Sequence, residues 1–136
     1  MPIHKNRNHS TSNAEIAALA APRPQLIITD GEDWTRHMPD IGFPYIKQVY
    51  ELYGAGNKVG NAHFGNEGHN HGTSKRMAAY PFLAEHLGLD LGKVQDAEGN
   101  IDESFVVAER RSDMLVFGAE NPYPMDAIKP NTLLPK

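Results

Sequence analysis

The chain has 136 residues, a length typical of one domain, and its 13 basic and 17 acidic side chains give a net charge of −4. With 40% hydrophobic residues it has the composition of a soluble globular protein, and its scattered basic residues exclude a surface for nucleic acid or anionic membrane. No apolar run approaches the roughly 18 residues of a membrane span, and the absence of cysteine excludes disulfides, thiolate catalysis and cysteine-ligated zinc.

The first third of the chain predicts a helix, a strand and a long loop. Its polar start, MPIHKNRNHSTSN, lacks the apolar segment of a secretory signal. Asn13 is placed to cap a short helix in AEIAALAA, which Pro22 and Pro24 end. The apolar run QLIIT, residues 25–29, predicts a strand that is covered on both faces. The segment DGEDWTRHMPDIG, rich in Gly, Pro and Asp, then predicts a loop.

A second helix and a second strand follow. Pro44 suits the first turn of a helix, and Gly54 predicts the end of that helix. Between them, apolar side chains recur with helical spacing at Ile46, Val49, Tyr50 and Tyr53. The segment KVGNAHF, residues 58–64, predicts a weaker strand.

A third helix is predicted after the Gly-rich loop GNEGHNHG. Thr73 or Ser74 can cap this helix, which runs to about Leu87 and ends at Gly88. Pro81 predicts either a kink or an earlier boundary. The coarse order is therefore α-β-loop-α-β-loop-α.

The pattern changes at Asp90. The segment SFVVAE predicts one strand and MLVF a second, and the last sixteen residues contain four prolines. We interpret residues 90–136 as an extension that wraps over a larger body or is partly disordered, and residues 1–89 as the main segment.

Two β-α units make an incomplete domain. Parallel strands are normally buried on both faces and need neighbours, so two such strands would leave apolar faces and unpaired edges exposed. The pattern therefore predicts an α/β fold in which this chain forms the β-α-β-α end of a doubly wound sheet.

Chemically useful side chains follow each predicted strand. Asp30, Glu32 and Asp33 come after the first strand, and His69 follows the second. The carboxyl ends of strands form the functional edge of an open α/β sheet, so these loops are expected to meet. A carboxylate there can fix the tautomer of a histidine that serves as general base to a nucleophile. A solvated acidic loop and a surface histidine are the alternative.

These same residues carry a family resemblance. APRPQLIITDGEDWT, NAHFGNEGHNHG and FLAEHLGL together resemble the C-terminal part of bacterial α/β-hydrolase esterases of the dienelactone-hydrolase-like and acetyl-xylan-esterase-like kinds. The resemblance covers residues 13–89, and IDESFVV extends it. It implies a Ser-acid-His triad in that chain order, in which Asp33 is the acid, His69 is the base and Asp30 is the alternate acid. The resemblance also implies that the substrate is an ester, either a carbohydrate that carries an acyl group or another small ester.

The expected nucleophile is missing from the pattern. Only Ser10 and Ser12 precede Asp33, Ser74 follows the histidine, and none lies in a G-x-S-x-G elbow. We therefore expect a fragment of a longer enzyme, one subunit of a two-chain enzyme, or a truncated paralogue, each nearly inactive alone. Relatives of this kind are often periplasmic or secreted, and the signal would then lie upstream.

Two hypotheses from other classes stay open. His69 and His71, with His63 and Glu67 nearby, could form a metal site, although the pair lies in a turn and no HExxH motif is present. Alternatively, the chain is a non-catalytic module whose open strand edges are covered by self-association. No cofactor is predicted, and the expected partners are an ester substrate and either a second copy or a missing N-terminal portion.

Overall fold

The computed structural model describes residues 3–5, 8 and 10–128. The chain divides into two compact units, residues 1–101 and residues 102–136. The boundary predicted between residues 89 and 90 lies earlier in the chain.

In the part of the first unit that the structure describes, there are two small sheets. Strands β1 (Ile3–Lys5) and β2 (Ser10–Ser12) form an antiparallel pair. Strands β3 (Gln25–Asp30) and β4 (Val59–Phe64) pair in parallel. Both strands of the parallel pair were predicted, whereas β1 and β2 are too short and polar to carry an alternating pattern.

Within the described residues, three α-helices accompany the strands, α1 (Asn13–Ala18), α2 (Phe43–Leu52) and α3 (Thr73–Leu87). Their existence and order confirm the predicted pattern. A π-helical turn, Met38–Gly42, interrupts the predicted loop between β3 and α2.

The predicted caps at the helix starts are wrong. Ser12 caps α1, because its hydroxyl accepts from the Glu15 N–H while the Glu15 carboxylate accepts from the Ser12 N–H. Asn13 is therefore the first residue of the helix. Helix α3 follows Gly72, with no side-chain cap from Thr73 or Ser74.

The predicted end of α3 is confirmed. Gly88 closes the helix at φ +65, a left-handed conformation that costs glycine little. Pro81 lies inside the helix and does not mark its boundary.

The core lies between α1, α2 and one face of the parallel sheet. It includes Ala14 and Ala18 of α1, Ile46 and Tyr50 of α2, and Val59 of β4. Side chains alternate along a strand, so Asp30 lies on the face opposite Thr29, where it meets α3 through Lys75. Helices therefore contact both faces of the sheet.

The α/β fold class is confirmed as a small parallel sheet with helices. Residues 25–28 of β3 are only half-buried, so the predicted double coverage of this strand is incomplete. The reason is that among the described residues the sheet has two strands, each with an open edge. A complete doubly wound hydrolase sheet stays a prediction.

The strands predicted in the second unit are wrong. Residues 104–109 and 114–117 form turns, irregular backbone and part of a 3₁₀ turn, Arg111–Met114. Their apolar and β-branched composition favours a strand only where another strand can pair with it. Of the Pro-rich end, residues 129–136 lie outside the described residues. In the described part of the chain, no helix combines the length and apolarity needed to cross a membrane.

Candidate functional site

The loops that follow β3 and β4 meet at the carboxyl end of the sheet, as predicted. The Gly31 N–H donates to the Phe64 carbonyl at 2.9 Å, and the Glu32 N–H donates to the Glu67 carbonyl at 3.1 Å. A Cβ on Gly31 would overlap the backbone of Gly65. Glycine at position 31 therefore allows the two loops to approach.

Gly31→Ala is expected to separate these loops. The added methyl group meets rigid backbone, so we expect a loss of about 1–3 kcal/mol in the free energy of unfolding, measured by urea denaturation. Gly118→Ala is the matched control, because a Cβ on Gly118 meets nothing within 4 Å. Equal stability of the two variants would contradict this account of Gly31.

Asp33 and His69 form a hydrogen-bonded pair between the two loops. Asp33 Oδ2 lies 3.0 Å from His69 Nδ1, which donates in the tautomer that carries its proton there. The Asp33 side chain is 7% exposed, whereas that of His69 is 78% exposed. A shielded carboxylate thus orients an imidazole that is accessible to a further group.

Thr35 holds the Asp33 carboxylate in place. Asp33 Oδ1 accepts from the Thr35 N–H at 2.5 Å and from the Thr35 hydroxyl at 2.6 Å. The Thr35 hydroxyl in turn accepts from the Asp30 N–H at 2.8 Å, which ties the turn to the end of β3. The Thr35 hydroxyl is the largest cause that lowers the pKa of Asp33 from 3.8 to about 2; desolvation opposes it, and the Thr35 N–H and His69 lower the pKa further.

Thr35→Val is expected to raise the pKa of Asp33 toward 3.8. A carboxyl titration followed by NMR measures this shift, and Thr35→Ser, which keeps the hydroxyl, should leave the pKa near its native value. Because the folded pKa lies below the unfolded one, Asp33 contributes stability that is full above pH 3.8 and lost as the pH falls through about 2. An unchanged pKa in Thr35→Val would show that Thr35 does not hold the carboxylate.

Asp30, the alternate acid, has a different partner. Its Oδ1 lies 2.6 Å from Lys75 Nζ, and both side chains are buried. This contact is a buried ion pair. The carboxylate hydrogen-bonded to His69 is therefore that of Asp33.

The histidine metal site suggested by the sequence is not assembled. His63 Nδ1 lies 2.9 Å from the Thr29 hydroxyl, and the Glu67 carboxylate accepts from Ser74. Among the described residues, the one cluster with metal-ligand spacing is Asp30, Asp33 and His69, whose ligand atoms lie within 4.8 Å of one another. The Lys75 ammonium already supplies a positive charge to that cluster.

A cavity of about 340 Å³ lies beside His69. Trp34 and Met38 contribute apolar side chains to its wall, and His69 and Asn70 contribute polar ones. Trp34 therefore lines a cavity next to the Asp33–His69 pair.

The serines near this site have other partners. Ser12 caps α1, and the Ser74 hydroxyl donates to Glu67 Oε2 at 2.7 Å. In the part of the chain that the structure describes, no serine hydroxyl is hydrogen-bonded to His69.

The chain is similar to a solved enzyme structure. That structure is named "Methylesterase BT1017", and 82% of this chain aligns to it with 43% identity and a TM-score of 0.67. The resemblance to an esterase is confirmed. This chain spans 23% of the length of that protein, so the match concerns one part of an esterase.

The other comparisons give no match. No family model matches the chain, and no curated protein matches it. The structural similarity is thus to one part of an esterase, and this chain contains a hydrogen-bonded pair of a carboxylate and a histidine, Asp33 and His69.

Proposed function

We propose that this chain supplies the acid Asp33 and the base His69 to a Ser-His-Asp triad that hydrolyses a carboxylic ester. The observation that carries the proposal is the 3.0 Å contact between a shielded Asp33 carboxylate and the exposed His69 imidazole. Its position at the carboxyl ends of two parallel strands is where open α/β sheets place functional groups. The serine would come from a part of the enzyme outside these 136 residues.

The geometry of the pair supports the proposed roles of Asp33 and His69. With Asp33 bound at Nδ1, the imidazole presents Nε2 to the serine and accepts the hydroxyl proton as the oxygen attacks the ester carbonyl. His69 then gives this proton to the departing alcohol, which leaves an acyl-enzyme. Water attacks the acyl-enzyme with His69 again as base, which releases the acid and regenerates the serine.

For the substrate we propose a methyl ester, on the strength of the printed name of the similar structure. The cleaved bond would then release methanol and leave a carboxylate. The sequence resemblance implied a different ester, in which a small acyl group is attached to a carbohydrate. In that ester the small group is the acid part, whereas in a methyl ester the small group is the alcohol part. The cavity walled by Trp34 and Met38 beside His69 can hold a small uncharged group in either case.

Product analysis with the complete enzyme separates these substrates. Methanol release from a methyl ester of a sugar acid, faster than acetate release from an acetylated sugar of equal size, is the expected result. The reverse preference would return the substrate to the acyl-carbohydrate class. Release of neither product would contradict the proposed ester hydrolysis.

A second candidate function rests on exposed apolar side chains at the C-terminal ends of the first two helices. Leu19, Leu52 and Tyr53 are all exposed, and α1 and α2 border a cavity of about 450 Å³. A non-catalytic module that self-associates would cover this surface. A stable oligomer of the 136-residue chain whose formation is prevented by Leu52→Ser would support that function, and a monomer would contradict it.

A further inference from the structure

Lys75 is a buried cation beside the candidate site that the proposed chemistry does not use. It lies in the first turn of α3 and is 0% exposed. Its ammonium lies 2.6 Å from Asp30 Oδ1, donates to the Gly68 carbonyl at 2.7 Å, and lies 3.8 Å from Glu67 Oε2. A buried ammonium requires such oxygen partners, because it has lost its hydration.

The partners of Lys75 come from both loops of the site. Asp30 ends β3, three residues before Asp33, and Gly68 immediately precedes His69. One ammonium therefore joins the strand end that leads to the acid and the peptide that carries the histidine. The His69 side chain is 78% exposed, and a single hydrogen bond to Asp33 contributes only modestly to holding an exposed ring in place.

A second side chain of α3, that of Ser74, also binds the loop that contains His69. The Ser74 hydroxyl donates to Glu67 Oε2 at 2.7 Å, so consecutive residues of α3 bind consecutive residues of the histidine loop. Of the two, only Lys75 also reaches the end of β3.

We propose that Lys75 is a positioning residue that holds the His69 imidazole within hydrogen-bond distance of Asp33. This role deepens the proposed function, and its test is independent of ester hydrolysis. A stabilising ion pair alone would explain a loss of stability when Lys75 is replaced. It would not explain a change in the tautomer of His69 once stability had been restored.

The test compares the wild-type chain with Lys75→Met and with the double variant Asp30→Leu/Lys75→Met. The double variant replaces a buried ion pair by apolar side chains, a change that is often neutral for stability. It still lacks the donor to the Gly68 carbonyl. Lys47→Met, which removes an exposed lysine of α2, is the matched control.

The readout is the pair of His69 ring-nitrogen resonances in alkaline buffer, assigned with a His69→Gln variant. A bond to Asp33 places the neutral-ring proton on Nδ1, whereas a free histidine in water favours Nε2. We expect the Nδ1 form in the wild-type chain and in Lys47→Met, and its loss in both Lys75 variants. The thermal midpoint should fall in Lys75→Met and recover in the double variant.

Retention of the Nδ1 form in a folded double variant would overturn the proposal and reduce Lys75 to a stabilising ion pair. If the leucine variant does not fold, Asp30→Asn/Lys75→Met is measured in its place, with the same two outcomes. Absence of ester hydrolysis would remove the proposed function and leave this test of loop position unchanged.

Discussion

His69→Ala in the complete enzyme is expected to lower kcat by about 10⁴- to 10⁶-fold. The imidazole is the only group that accepts the serine proton and returns it to the leaving alcohol in the proposed triad. Its side chain is 78% exposed, so the substitution should change the free energy of unfolding by less than about 0.5 kcal/mol. Steady-state kinetics on a methyl ester and a thermal melt measure the two quantities.

His37→Ala is the matched control for this loss. His37 is also an exposed loop histidine, and its Nε2 accepts from the neighbouring Arg36 and not from Asp33. We expect native kcat from this variant. Native turnover from a folded His69→Ala variant would remove His69 as the base.

Asp33→Asn is expected to lower kcat by about 10⁴-fold with little change in KM. The amide can donate to His69 Nδ1, which favours the tautomer that carries its proton on Nε2 and cannot accept from serine. The backbone of the turn is unchanged, and the amide oxygen can still accept from Thr35. Kinetics of the variant and the ring-nitrogen resonances of His69 measure both consequences.

Glu32→Gln provides the matched control, because it converts an exposed carboxylate of the same loop to an amide. We expect native turnover from it. Asp30→Asn should act differently, since it leaves the Lys75 ammonium without its buried counter-charge and lowers stability. A larger loss of kcat in folded Asp30→Asn than in Asp33→Asn would make Asp30 the triad acid.

The three α-helices and the parallel strands of the first unit were predictable because their patterns are local. The continuous apolar run QLIIT is typical of a buried strand, and the i, i+3, i+4, i+7 spacing from Ile46 is typical of a helix. Gly88 marks the C-terminal end of α3, because glycine favours the left-handed conformation found there. The helix starts were harder, since Ser12 and Asn13 are both good caps and the capping box with Glu15 decided between them. The strand predicted at SFVVAE does not form, because a strand needs a pairing partner that the local sequence does not reveal.

The meeting of Asp33 with His69 was predictable from strand ends, and the residues that hold the pair were not. Thr35 forms a turn that any short polar residue could occupy, so its hydroxyl gives no separate signal in one sequence. Lys75 sits in HGTSKR, where a charged side chain is usually solvated, and its burial depends on the distant Asp30. Gly31 is one glycine among 12, and only the approach of Gly65 distinguishes it.

In the proposed triad, Asp33 and His69 activate a serine that lies outside these residues. The most direct test is intact-mass and peptide mass spectrometry of the complete enzyme after reaction with a fluorophosphonate, which labels activated serines. We expect one adduct, on a serine outside residues 1–136, that forms in the wild-type enzyme and fails to form in His69→Ala. An enzyme that hydrolyses the methyl ester without forming an adduct, or an adduct on Ser10, Ser12 or Ser74, would contradict it.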